Sequence, residues 1–122
     1  SGKHSEPFDL EKKIKELFTG YTFEISWPYS RPLNPECEAV EVVLKTRAGD
    51  HYLSNFTTTK FIEMMLNEYK TMGECAGGVY FAMPGMVVVE KITPETVKKT
   101  IDCMIRELEI DDHFEKLDDY EE

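Results

Sequence analysis

The sequence predicts an α+β fold: an antiparallel sheet of about five strands built from hairpins, with two or three helices on one face and a candidate helix at the C-terminus. Three observations support this prediction. Apolar residues recur at helical spacing in some segments and alternate with polar residues in others, and the strand-like segments follow one another across short turns. The chain has 122 residues, 41% of them hydrophobic, which is enough for one domain with one core.

The first half of the chain is predicted to contain a helix followed by three strands. The helix has apolar residues at i, i+4, i+7 and i+8, whereas the strands alternate between polar and apolar residues. A proline-rich loop separates the first two strands, because proline cannot donate to a sheet ladder, and a glycine-containing turn joins the second and third. The predicted ranges are 10–18 for the helix, 22–27, 38–47 and 51–56 for the strands, and 28–36 for the loop.

The second half is predicted to contain two helices around a second hairpin. One helix is entered at Thr57-Thr58-Thr59 and ends near Gly73, and the other begins with Thr93 as N-cap and Pro94 in the first position. Both carry apolar residues on one face. Between them, a loop over 74–78 leads to strands over 79–82 and 86–90, which a Pro-Gly turn joins as a hairpin.

The charge is concentrated at the C-terminus. The chain has 24 acidic and 14 basic side chains, a formal net charge of −10, and residues 107–122 contain nine of the acids and one base, Lys116. The predicted organisation is a tag remnant or flexible N-terminus, a single α+β domain, and an acidic C-terminal segment whose apolar residues have helical spacing. These three parts cover residues 1–7, 8–109 and 110–122.

Composition argues against several classes of protein. A chain with pI near 4.8 repels the phosphates of nucleic acid, and no apolar run is long enough to cross a bilayer. The three cysteines cannot all pair within the chain and form no C-x-x-C motif, which favours reduced thiols and a cytoplasmic protein. With no phosphate-binding loop, hydrolase elbow or metal-ligand spacing, no cofactor, no metal and no catalytic residue is predicted.

One pair of residues leaves an enzyme as an alternative. His51 is the only histidine between the N-terminal residues and the acidic end, and a hairpin symmetric about Gly49 would bring it near Cys37. A Cys/His pair supports nucleophilic catalysis when the two side chains are within hydrogen-bond reach. The favoured interpretation is nevertheless that His51 is a solvated surface group beside a turn.

Two groups of residues are candidates for binding a partner. The first is the loop with Trp27, Tyr29 and Arg31, residue types that often carry interface energy; the alternative is that Trp27 ends a strand in the core. The second is the acidic end, where dense charge would attract a basic protein; the alternative is a role in solubility. Its candidate residues are Asp111, Asp112, Glu115, Asp118 and Asp119.

Two resemblances accompany these predictions. The segments 55–62, 73–81 and 86–93 resemble the core pattern of short, uncharacterised bacterial proteins, which implies a bacterial origin. In size, acidity and lack of catalytic motifs the chain is also similar to small immunity proteins that neutralise basic nuclease toxins. That second resemblance implies a basic protein as partner.

The predicted function is therefore a non-catalytic protein-binding domain, of the immunity type, that binds a basic partner through acidic surface. One alternative is a small enzyme or ligand-binding module using His51 and Cys37. Another is a homodimeric structural domain that pairs an exposed strand edge at Val79 to Ala82 or Met86 to Glu90.

Overall fold

The computed structural model describes residues 7–28 and 32–118, and within them the fold is α+β, as predicted. Residues 1–6 of the predicted N-terminal segment lie outside the described residues. Helices and strands occupy the following ranges: α1 (Pro7–Phe18), β1 (Thr22–Ser26), β2 (Ala39–Lys45), β3 (His51–Thr58), α2 (Thr59–Met72), α3 (Glu74–Gly78), β4 (Met86–Val89), α4 (Pro94–Arg106), α5 (Ile110–His113) and β5 (Glu115–Leu117).

The described strands form one five-stranded sheet in the order β1-β2-β3-β4, with β5 also paired to β3. The β1–β2, β2–β3 and β3–β5 pairings are antiparallel, whereas β4 runs parallel to β3. Both β4 and β5 lie along the edge of β3 that faces away from β2. β4 pairs with residues 55–58 and β5 with residues 51–53, so Ser54 lies between the two strand ends.

One face of the sheet carries the core, because apolar residues alternate in register on neighbouring strands. Val42 is opposite Ile25, and Leu44 is opposite both Phe23 and Tyr52. The buried core combines this face with residues of the helices and of the segments beside them. Those further residues are Phe18, Ile92, Val97, Ile101, Ile110 and Phe114.

Two helices begin at the predicted caps. Thr58 accepts a hydrogen bond from the Phe61 amide at the start of α2, and Thr93 accepts one from the Thr96 amide at the start of α4. Gly73 ends α2 in the left-handed conformation. The threonine hydroxyls at the N-termini and the left-handed glycine at the C-terminus of α2 satisfy backbone groups that the helix leaves without an internal partner.

The predicted second hairpin is wrong. Residues 79–82 form no strand, and β4 pairs with β3 instead. Phe81 packs on α2, with ring-centroid distances of 6.1 Å to Phe61 and 6.4 Å to Tyr69. The segment thus belongs to the helical crossover that two parallel strands require, and the homodimer edge at residues 79–82 does not exist.

The predicted loop over 74–78 is a left-handed turn. Cys75 and Ala76 adopt φ angles of 50° and 55°, and Gly77 continues the turn at 73°. Non-glycine residues rarely adopt this conformation because Cβ crowds the backbone. The Val79 amide donates to the Cys75 carbonyl at 3.0 Å, which closes the turn.

The helical face predicted over residues 110–117 extends for only one turn. α5 ends at His113, and the chain then pairs with β3 as β5. Ile110 and Phe114 are buried in the core, so one helical turn already places both side chains. The next residues satisfy backbone groups on the open edge of β3, which a longer helix would leave unpaired.

Candidate functional site

A cleft lies where β4 and β5 meet at Ser54. Both strands start there, because β4 runs away from Ser54 parallel to β3 and β5 runs away from it antiparallel to β3. The segments that lead into the two strands diverge and enclose about 470 Å³. We call this space the acidic cleft; it is lined by Leu53, Asn55, Pro84, Gly85, Asp111, Asp112, His113, Phe114 and Glu115.

One wall of the acidic cleft is the turn at Pro84 and Gly85. The Asn55 side-chain amide donates to the Pro84 carbonyl at 2.9 Å, and the Ser54 hydroxyl donates to the Gly85 carbonyl at 3.2 Å. A Cβ at Gly85 would lie 3.4 Å from the His113 carbonyl oxygen, so the turn is also close to α5. These contacts fix the width of the cleft from the side of β3.

The opposite wall carries the charge. Burial of Ile110 and Phe114 anchors α5 to the core and leaves Asp111 and Asp112 exposed, with exposed Glu115 at the start of β5. The ring of Phe114 packs edge-on against Phe56 at a centroid distance of 6.2 Å. Buried apolar residues thus alternate with exposed carboxylates in this segment. As a result, apolar groups lie at the bottom of the cleft and carboxylates lie around its opening.

Several charged groups surround the acidic cleft. Burial is the main cause that raises the Tyr52 pKa, and the carboxylates of Asp111 and Asp50 raise the pKa further. Lys116 lies 4.0 Å from Asp50, so the single base of the acidic end is beside a carboxylate outside the cleft lining. His113 lies 3.9 Å from Glu109.

A second, smaller cleft borders the first. It encloses about 220 Å³, and we call it the Trp27 cleft; it is lined by Ser26, Trp27, Pro28, Ala39, Val40, Glu41, Asn55 and Met83. Asn55 lines both clefts, and Met83 lines one while Pro84 and Gly85 line the other. The segment 83–85 therefore separates two adjoining depressions.

Both clefts involve the sheet face opposite the core. Ser26 is opposite Glu41, and Glu41 is opposite Asn55, across β1, β2 and β3. Residues directly opposite one another point to the same side, so these three share a face. Leu53 and its partner Glu115 lie on that face as well, because side chains alternate along β3.

The predicted partner-binding residues are distributed unequally over this arrangement. Trp27 is half-buried and packs against the core while lining its cleft. Asp111, Asp112 and Glu115 line the acidic cleft, whereas exposed Asp118 lines neither. Tyr29, Arg31 and Asp119 lie outside the described residues.

The structure does not bring His51 near Cys37, as the alternative enzyme interpretation required. His51 pairs with Lys45 at one end of the β2–β3 hairpin, whereas Cys37 precedes β2 at the other end, about 20 Å away along a strand. The Cys37 sulfur lies 4.0 Å from that of Met64. His51 is only 8% exposed, so the expectation of a solvated histidine is wrong, and no Cys/His pair forms.

A further polar cleft has balanced charge. It is lined by Glu36, Thr59, Lys60, Glu90 and Lys91. A 2.8 Å ion pair joins Lys60 to Glu36; hydrogen bonding within the pair lowers the Glu36 pKa and raises the Lys60 pKa. The described residues contain no group of three or more His, Cys, Asp or Glu side chains arranged to hold a metal ion.

Sequence reasoning missed most of the residues that line the clefts, among them Asn55, Met83, Pro84 and Gly85. The available signals were a polar amide within an otherwise strand-like run and a Pro-Gly turn. Neither indicates which strand the turn will contact, because that depends on the parallel pairing of β4 with β3. No helix in the described part of the chain is both long and apolar enough to span a membrane.

Comparison of the chain with protein-family models, with curated protein sequences and with solved structures finds no match.

Proposed function

We propose that the protein is a non-catalytic binding domain that recognises a basic protein through the acidic cleft. The observation that carries this proposal is the lining of the cleft: Asp111, Asp112 and Glu115 lie around a space that also contacts Leu53 and Phe114. Lysine and arginine side chains match such a surface, because an apolar stem packs on apolar groups while the cationic head binds carboxylates.

The charge of the whole molecule supports the same class of partner. A net charge of −10 attracts basic proteins over a distance and accelerates their association at low salt. The similarity in size and acidity to small immunity proteins suggests a specific form of the proposal, in which the partner is a basic nuclease toxin that the bound domain neutralises.

The test compares two triple variants that change the net charge equally. The first, which we call the cleft triple, neutralises the acidic cleft (Asp111→Asn, Asp112→Asn, Glu115→Gln). The second, the control triple, neutralises exposed glutamates on α2 and α4 (Glu63→Gln, Glu68→Gln, Glu95→Gln). Each is used to capture proteins from the source cell at two salt concentrations. A basic protein retained by the wild type and the control triple, but lost by the cleft triple, is the expected result.

The retained protein is then purified and its affinity measured by calorimetry. We expect the cleft triple to weaken binding at least tenfold, and higher salt to reduce the difference from wild type because it screens exposed charges. Equal losses in both triples would mean that the net charge acts without a specific site, and equal retention by both would contradict the proposal.

A further inference from the structure

The two clefts adjoin each other on one face of the sheet and differ in chemistry. Asn55 is common to both, and the segment 83–85 forms the ridge between them. The acidic cleft presents three carboxylates, while the Trp27 cleft presents the apolar groups of Trp27, Pro28 and Met83 beside the single carboxylate of Glu41. A single ligand that enters both must therefore carry a cationic group and an apolar group at a short separation.

The size of the Trp27 cleft limits what enters it. Its volume of about 220 Å³ is below the roughly 300–1,000 Å³ of typical small-molecule sites, so it suits one side chain rather than a whole ligand. The carboxylates that line the neighbouring acidic cleft favour a positively charged group of the ligand next to that side chain. Charge complementarity thus selects a basic segment of a protein.

We infer that the partner inserts one apolar side chain into the Trp27 cleft and one lysine or arginine side chain into the acidic cleft, from a single extended segment. This inference rests on the proposed function and adds the form of the ligand. Asn55 and the ridge at 83–85 separate the two side chains, and the segment crosses the ridge between them.

Strand spacing sets the separation of the two side chains. Glu41 of β2 pairs with Asn55 and Glu115 of β5 pairs with Leu53, so the two lie two strand spacings apart across the sheet and two residues apart along it, about 12 Å in all. An extended segment advances about 3.3 Å per residue and points alternate side chains to the same side. The apolar and basic residues are therefore about four positions apart.

Three synthetic peptides of equal length test this arrangement. All are glycine/serine-rich and carry two adjacent arginines. The first has a leucine four positions from the nearer arginine, the second has the same leucine ten positions away, and the third has serine in its place. Binding to the full chain is measured at low salt by titration of amide chemical shifts. We expect the first peptide to bind at least fivefold more tightly than the other two.

Two protein variants locate the effect. Met83→Ala, which changes a residue outside the strands and helices, is expected to remove the advantage of the first peptide without changing the affinity of the serine peptide. The cleft triple is expected to weaken all three peptides. Equal affinities for the three peptides, or no binding by any of them, would overturn the inference.

A failure of the inference is distinguishable from a failure of the proposed function. If the basic partner is still lost on neutralising the cleft, while the peptides show no dependence on spacing, the acidic cleft binds a folded surface and only the extended-segment inference is wrong. If the cleft triple retains the partner as well as the wild type does, the proposed function itself is wrong.

Discussion

Tyr21 links the start of the sheet to helix α4 through one hydroxyl group. It donates a 2.6 Å hydrogen bond to Asp102, and Lys98 lies 3.1 Å from the same carboxylate and 5.0 Å from the centre of the Tyr21 ring. Burial alone would raise the Asp102 pKa, but hydrogen bonds from Tyr21 and Lys98 outweigh it, so the pKa falls below its ordinary 3.8. Burial, followed by the bond to Asp102, raises the Tyr21 pKa.

Replacing Asp102 should therefore have a pH-dependent effect on stability. A carboxyl group with a lowered pKa in the folded state stabilises the protein above its unfolded pKa, and that contribution is lost as pH falls through the folded pKa. Because the side chain is 44% exposed, solvent screening limits the effect of Asp102→Asn to about 0.2–1 kcal/mol near neutral pH. Urea unfolding at pH 7 and at pH 3 checks this.

The matched control is Glu68→Gln on an exposed position of α2, which should change stability little at either pH. A cost for Asp102→Asn that is the same at both pH values would show that the carboxylate acts by packing rather than by charge.

The conformation of α3 depends on backbone geometry rather than on the pattern of its side chains. Its left-handed turn brings Gly78 against α2, where a Cβ would clash with the Leu66 carbonyl oxygen, whereas a Cβ at Gly77 would meet nothing within 4 Å. Both glycines have positive φ. The two positions therefore share the conformational requirement and differ only in available space.

Alanine at each position separates these two costs. Gly77→Ala should lower the free energy of unfolding by about 1–2 kcal/mol, the cost of placing a Cβ in the left-handed region. Gly78→Ala should cost more, because it must also displace the backbone of α3 from that of α2. Chemical denaturation of both variants measures the difference, and equal effects would contradict the close approach at Gly78.

The sequence pattern correctly predicted the elements whose type and ends are set by residues within or next to them. The periodicity of α2, its hydroxyl cap and its terminal glycine gave an element close to the observed one, and β2 and β3 formed the predicted hairpin around Gly49. The strand predicted at 79–82 was wrong, and the helical face predicted over 110–117 ended after one turn, because alternating or helically spaced residues fit more than one backbone. The backbone that each segment adopts depends on its contacts with α2 or with the open edge of β3. Those contacts join residues that are far apart in the sequence.

At the scale of the whole molecule, the acidic end contributes to both the core and the binding surface. Ile110 and Phe114 are buried with the residues of the sheet and α4, and β5 pairs with the middle strand of the sheet. The sequence predicted one candidate binding group in the loop with Trp27, Tyr29 and Arg31, and another among the acidic residues of 111–119. It did not predict that they adjoin at Asn55, because this follows from the pairing of β1, β4 and β5 around the β2–β3 hairpin.

Truncation after Glu109 should therefore strongly destabilise the domain rather than remove only its charge. Loss of two buried apolar side chains costs about 1.5–3 kcal/mol each, before the loss of β5, against a total stability of about 5–15 kcal/mol for a typical domain. Thermal unfolding monitored by circular dichroism checks this, with the cleft triple as the full-length control. A truncated chain that unfolds cooperatively near the wild-type temperature would contradict the assignment of Ile110 and Phe114 to the core.

The most direct test of the acidic cleft is to map where a cationic ligand binds. A hexa-arginine peptide is titrated into the isotope-labelled full chain at low salt, and the amide chemical shifts are followed residue by residue. A cationic site at the acidic cleft predicts that the largest changes cluster at Leu53, Asn55, Gly85 and residues 111–115, and that the cleft triple abolishes them while the control triple does not. Changes spread evenly over the exposed acidic residues, or centred on α2 and α4, would contradict it.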